Sequence, residues 1–221
     1  MRGWAGALGR RRYGGPVAVN SMGSLPESIT LAETVDAARD TLQDLLGVDV
    51  VPQLDVFHRR RGGDGRLTDD LERLLGRDEL EAVRLGGPRV PAGVDDDEHY
   101  EIGAEGFPWR IWLMVFRCDE DYADDLTELA GRHVAWLDFT PARTPVMVVT
   151  SIGLALGAAR RRGGYFDTQL QLAPELGVGT AVPAERALAL TRLEEVRGET
   201  YETACERFLD VYSAARPGGA R

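Results

Sequence analysis

Lysine is absent from the chain: all 26 of its basic residues are arginine, and asparagine occurs once, at Asn20. Codon usage in a GC-rich bacterium leaves this signature. The missing amine excludes a Schiff-base lysine, a phosphate-loop lysine and the strand lysine of a protein kinase. Cysteine is nearly absent too. Cys118 lies in a strand-like run and Cys205 on an apolar helical face, a usage that suits buried thiols and a reducing, cytoplasmic setting better than a disulfide framework. The three histidines, His58, His99 and His133, all precede Ser151. A Gly-x-Ser-x-Gly hydrolase order, with acid and histidine after the serine, is therefore missing, and Val149 stands where the elbow needs a small residue.

No apolar run is long enough to cross a bilayer. The longest, Pro145 to Ala159, has 15 residues, short of the roughly 17–25 a spanning helix needs. A secretory leader is not expected either. Arg10, Arg11 and Arg12 resemble a charged leader start, but Gly14, Gly15, Pro16, Asn20, Ser21, Gly23 and Ser24 break the stretch that would have to be apolar. Positive charge is in deficit: 36 acidic residues against 26 basic ones give a net charge of −10. Such a field repels nucleic acid and anionic membrane and favours a basic protein partner.

What is present is an ordinary core. With 43% hydrophobic residues in 221, the chain fills one domain without metal or disulfide. Residues 1–24 are Gly- and Arg-rich without periodicity and read as a disordered arm or a spurious upstream extension, with Met1 and Met22 both open as the start. Residues 25–215 read as a single α+β domain, and 216–221 as a loose tail. Thr30 and Glu33 form a capping box ahead of Leu31, Val35, Ala38, Leu42 and Leu45, with Gly47 as the stop, which predicts a helix over 31–46. A strand is expected in 48–60, and short helices around 71–75 and 78–85. Alternation predicts strands near 100–104, 109–118, 134–139 and 165–172, the first two paired through a Gly106-Phe107-Pro108 turn.

Thr144 and Pro145 open a continuously apolar helix, 145–162, whose length matches a strand–helix–strand crossover. Gly153 and Gly157 let its backbone approach a neighbour closely. A C-terminal helical hairpin is expected over 183–215, the first helix running from Pro183 to Arg197 and the second carrying Tyr201, Ala204, Cys205, Phe208 and Tyr212. The expected architecture is thus a mixed sheet packed by a buried central helix.

Chemistry-bearing motifs are sparse. His99 and Glu101 share a strand face and, with His133 or a carboxylate from Asp95–Asp97, are the one His/carboxylate set that could serve a small enzyme or a small-molecule binder. Their spacing is not that of a metal motif. Asp119, Asp121, Asp124 and Asp125 lack the glycine and terminal glutamate of a calcium loop. Cys118 with His133 reads as packing rather than a nucleophile. Arginine triplets at 10–12, 59–61 and 160–162 have separate local explanations, the last complementing a helix C-terminus. No cofactor or metal is expected, oligomeric state is left open, and no nucleic-acid or membrane role is expected. The expectation is a non-catalytic acidic binding protein, in concrete form an immunity- or antitoxin-type inhibitor of a basic protein. Its binding surface would be formed by Asp95, Asp96, Asp97 and Glu98 with Asp119, Glu120, Asp121, Asp124, Asp125 and Glu128.

Overall fold

Local sequence signals set the first helix. In the computed structural model of the chain, which describes residues 20–25, 27–60, 72–85, 98–117, 135–160, 163–167 and 182–213, α1 runs from Leu31 to Leu46. The Thr30 hydroxyl accepts from the Glu33 N–H at 3.1 Å while the Glu33 carboxylate accepts from the Thr30 N–H at 2.7 Å. Two orphan donors are thereby satisfied. Gly47, at φ 64°, stops the helix in the left-handed conformation that glycine adopts without strain.

The strands are β1 Ser21–Leu25, β2 Ile29–Thr30, β3 Leu54–Arg60, β4 Arg73–Leu74, β5 Arg84–Leu85, β6 Glu98–Ala104, β7 Arg110–Arg117, β8 Ala135–Pro141, β9 Gly164–Asp167 and β10 Val182–Pro183. The remaining described helices are α2 Arg77–Ala82, α3 Pro145–Ala159, α4 Ala184–Thr191 and α5 Tyr201–Ser213. Eight strands form one sheet in the order β10-β9-β1-β8-β7-β6-β3-β4, and β2 and β5 make a separate ribbon. The fold is α+β. Each adjacent pair is antiparallel, so the sheet is antiparallel rather than mixed.

The crossover exists in a split form. β8 and β9 are each antiparallel to β1, hence parallel to one another, and α3 joins them across it. The strand inserted between them comes from a stretch expected to lie outside the domain. Residues 21–24 belong to β1, with Ser21 to Leu25 registered against Phe139 to Ala135, so the domain begins no later than Asn20. A methyl group on Gly23 would sit 2.4 Å from the Ala155 carbonyl oxygen, which shows how closely α3 lies on this strand.

Every residue of α3 from Val146 to Ala159 is buried. A helix apolar on all sides needs cover on all sides. The sheet supplies one side and α1 the other, where a Cβ on Gly157 would stand 2.8 Å from the Ala37 backbone. No described helix is long and apolar enough to cross a membrane.

Three shorter expectations are corrected. Arg73 and Leu74 are strand, not helix, because Leu75 N–H and the preceding residues bond to β3. The segment 78–85 divides into α2 and β5, with Arg84 and Leu85 pairing with β2. The first helix of the tail ends at Thr191 instead of Arg197. Beyond it the Leu193 N–H donates to the Leu45 carbonyl at 2.8 Å, satisfying an orphan acceptor at the end of α1. Residues 168–172 of the expected last strand lie outside the described residues, as does the connector 119–130.

Candidate functional site

Alternation along the strands sorts their side chains. Val56, Ile102, Ile111, Leu113, Leu137 and Phe139 are buried in the core cluster. Phe57, Glu101, Trp112 and Thr140 form one cross-strand row on the opposite face, which carries none of the described helices, and Met22, Asp138 and Met114 form the next.

At the β3 side of that face four charges close on one another. The Glu101 carboxylate, 5% exposed, accepts from Arg59 Nη1 at 2.7 Å and Arg110 Nη1 at 3.2 Å. Glu72 accepts from Arg110 Nη2 at 2.6 Å and lies 3.8 Å from Arg59 Nε. The Arg110 guanidinium also stacks on the Phe57 ring, 3.6 Å from its centre. The hydrogen bond from Arg110 holds the Glu72 carboxyl below its usual range, and the reciprocal bond raises Arg110. Two cations and two anions balance, and both Glu101 oxygens are occupied.

This bears on the His/carboxylate set. Glu101 is engaged by the arginines, and the half-buried His99 ring lies 6.4 Å from that of Trp112, tilted to it. His133 lies outside the described residues. So do Asp95, Asp96, Asp97, Asp119, Glu120, Asp121, Asp124, Asp125, Glu128 and Cys118, while Glu98 opens β6 opposite Arg60. Ser151 is buried inside α3, its hydroxyl donating to the Val148 carbonyl at 2.7 Å, and forms no elbow. Burial pushes the Cys205 thiol up to about 12, so it is a packed thiol. Among the described residues no three His, Cys, Asp or Glu side chains are grouped to hold a metal.

Sequence reading missed Asp138. Its side chain points from the middle of β8 onto the face opposite the described helices, yet the residue is only 6% exposed. Asn20 Nδ2 donates to one carboxylate oxygen at 3.1 Å and the Thr140 hydroxyl to the other at 3.5 Å. No cation pairs with it among the described residues. Burial pushes the carboxyl up to about 6, against the smaller opposing effects of those two hydrogen bonds. The one signal available beforehand was an aspartate set between Leu137 and Phe139 in an apolar strand.

Two further surfaces carry charge. A groove of about 530 Å³ between α1 and α3 is lined by Ala37, Asp40, Gln43, Asp44, Gly157 and Arg160. Arg160 caps α3 and bridges to Asp44 at 3.0 Å and Glu185 at 3.1 Å, so this member of its triplet is committed to helix packing. On α5, Glu202, Glu206 and Asp210 recur every four residues on the exposed side. The cation of that helix, Arg207, turns away to Glu199, at 2.9 and 2.5 Å, and to the Glu194 carbonyl.

No protein-family model matches the chain, and neither a curated protein nor a solved structure matches it. What the structure defines is a class: an α+β domain whose described helices all lie on one face of the sheet.

Proposed function

We propose that the chain is a non-catalytic acidic binding protein that captures a basic protein partner, an immunity- or antitoxin-type inhibitor being its concrete form. The observation that carries this reading is the row Glu202, Glu206, Asp210 on α5, set in a chain of net charge −10. Like charges four apart on a helix cost a few tenths of a kcal/mol per pair. They stand without an ion pair among the described residues, whereas Asp36 on α1 is met by Arg77 at 2.8 Å. A basic surface docking on the row would relieve that repulsion, and the wider negative field would speed its approach. The buried free thiol of Cys205 fits a reducing, cytoplasmic setting.

The test is capture of partners on the immobilised chain at low and high salt, beside the triple variant Glu202→Gln, Glu206→Gln, Asp210→Asn. A basic partner whose retention falls with salt and with the triple variant supports the reading. Partners without basic character, or retention indifferent to both changes, would sink it.

A further inference from the structure

We infer that Asp138 is the receptor for an organic cation, the ammonium or guanidinium head of a basic side chain, received beside Trp112 on the face opposite the described helices. Asp138 and Glu101 are the two buried carboxylates among the described residues. Glu101 is met by two arginines; Asp138, in the neighbouring cross-strand row, is met by none of the described ones. An ionised carboxylate offers about four acceptor sites, and its charge-assisted bonds normally run about 2.7–2.9 Å from nitrogen donors. Asp138 has one neutral amide donor at 3.1 Å, an ordinary distance, and one hydroxyl at a long 3.5 Å, and no charged donor among the described residues. The site therefore holds a desolvated anion with acceptor capacity unused, an arrangement a cation would complete.

The surroundings suit that class of ligand. Met114 on β7 and Met22 on β1 stand directly opposite Asp138 and bring no charge. Trp136 and Thr140 flank it along β8. The nearest titratable and charged side chains that share this face are His99, whose ring lies 6.4 Å from that of Trp112, and Arg59, Glu101 and Arg110, which are bonded to one another. Trp112 faces Thr140, which makes it a diagonal neighbour of Asp138, about 7–8 Å away across the strands and within reach of a large side chain. Its indole is 46% exposed. An open aromatic face beside a buried carboxylate pairs cation–π attraction with Coulomb attraction, and the thioethers of Met22 and Met114 make an adaptable wall. At neutral pH the carboxyl is ionised, so the anion is present to be paired.

That the cation comes from a protein rests on the function proposed above, and the experiment separates the two ideas. The full chain is titrated by calorimetry with butylguanidinium and butylammonium as small probes, and in parallel with a hexa-arginine peptide. Saturable binding of a small probe is expected at pH 7.5. Asp138→Asn and Trp112→Leu should each weaken it by about tenfold or more, the scale of a lost charge-assisted contact. Binding to the parent should fall by about tenfold per unit below pH 6 as the carboxyl takes its proton. Absence of saturable binding, or equal affinity in parent and both variants, overturns the inference. Trp112 is a surface residue, so its variant reads the site even where Asp138→Asn alters folding. Hexa-arginine bound salt-sensitively and equally by all three proteins keeps the acidic-binder function and overturns this site. Small probes bound through Asp138 without any binding of hexa-arginine do the reverse.

Discussion

Replacing Asp138 by asparagine should stabilise the protein, and by an amount that depends on pH. The carboxyl rises from 3.8 to about 6 on folding because burial removes its water, an effect that the hydrogen bonds from Asn20 and Thr140 only partly offset. At 1.36 kcal/mol per unit, that shift corresponds to about 3 kcal/mol. The folded state holds this proton more tightly than the unfolded chain. Below the unfolded value of 3.8 both states are protonated and Asp138 costs nothing; as pH rises toward 6 the cost grows, and above it the cost is complete. Asparagine keeps the shape without the charge: its oxygen can still accept from Asn20 Nδ2, and its amide N–H can donate to the Thr140 hydroxyl, which rotates to accept. Asp138→Asn should therefore gain up to about 3 kcal/mol at pH 7.5, or roughly 6–12 °C in Tm for a chain of this size, and only about 0.5 kcal/mol at pH 4. Urea and thermal melts of parent and variant at both pH values give the difference, in which all other carboxylates cancel. A variant less stable than the parent at pH 7.5, or a gain equal at both pH values, would refute the desolvation argument.

Three other substitutions probe the frame. Gly23→Ala places a methyl group 2.4 Å from the Ala155 carbonyl oxygen, and since neither β1 nor α3 can retreat without disturbing the sheet, a loss of about 1–3 kcal/mol should appear in the urea midpoint. Glu101→Gln removes the buried charge that holds Arg59 and Arg110 and should cost about 3–5 kcal/mol; a change within experimental error would mean that the remaining Glu72 suffices. Thr30→Ala deletes the capping-box hydroxyl of α1 and should cost about 1 kcal/mol, with Thr30→Ser restoring most of it in the same melts.

How much of this was legible beforehand follows the range of the interactions involved. The bounds of α1 match because Thr30, Glu33 and Gly47 act within one turn of the residues they cap. The β6–β7 hairpin matches because its partners adjoin in sequence and its turn glycine, Gly106, sits at φ 85°. The buried helix was recognisable from apolar residues on every side, with Thr144 and Pro145 marking its start. β1 was not, because Ser21-Met22-Gly23-Ser24-Leu25 has neither alternation nor bulk; its strand character is conferred by β8 and β9, which pair with it from far along the chain.

By itself the sequence determined the α+β class, the capped helices, the central hairpin and the negative charge, since each depends on composition or on residues a few positions apart. Tertiary structure alone decided which carboxylates matter. Glu101 is neutralised because Arg59 and Arg110 arrive from two other segments. Asp138, of the same chemical type and on the same face, is buried with no cation beside it among the described residues. The ionisation of a carboxylate is set by the water it loses and the charges it gains, and both are properties of its neighbours in space.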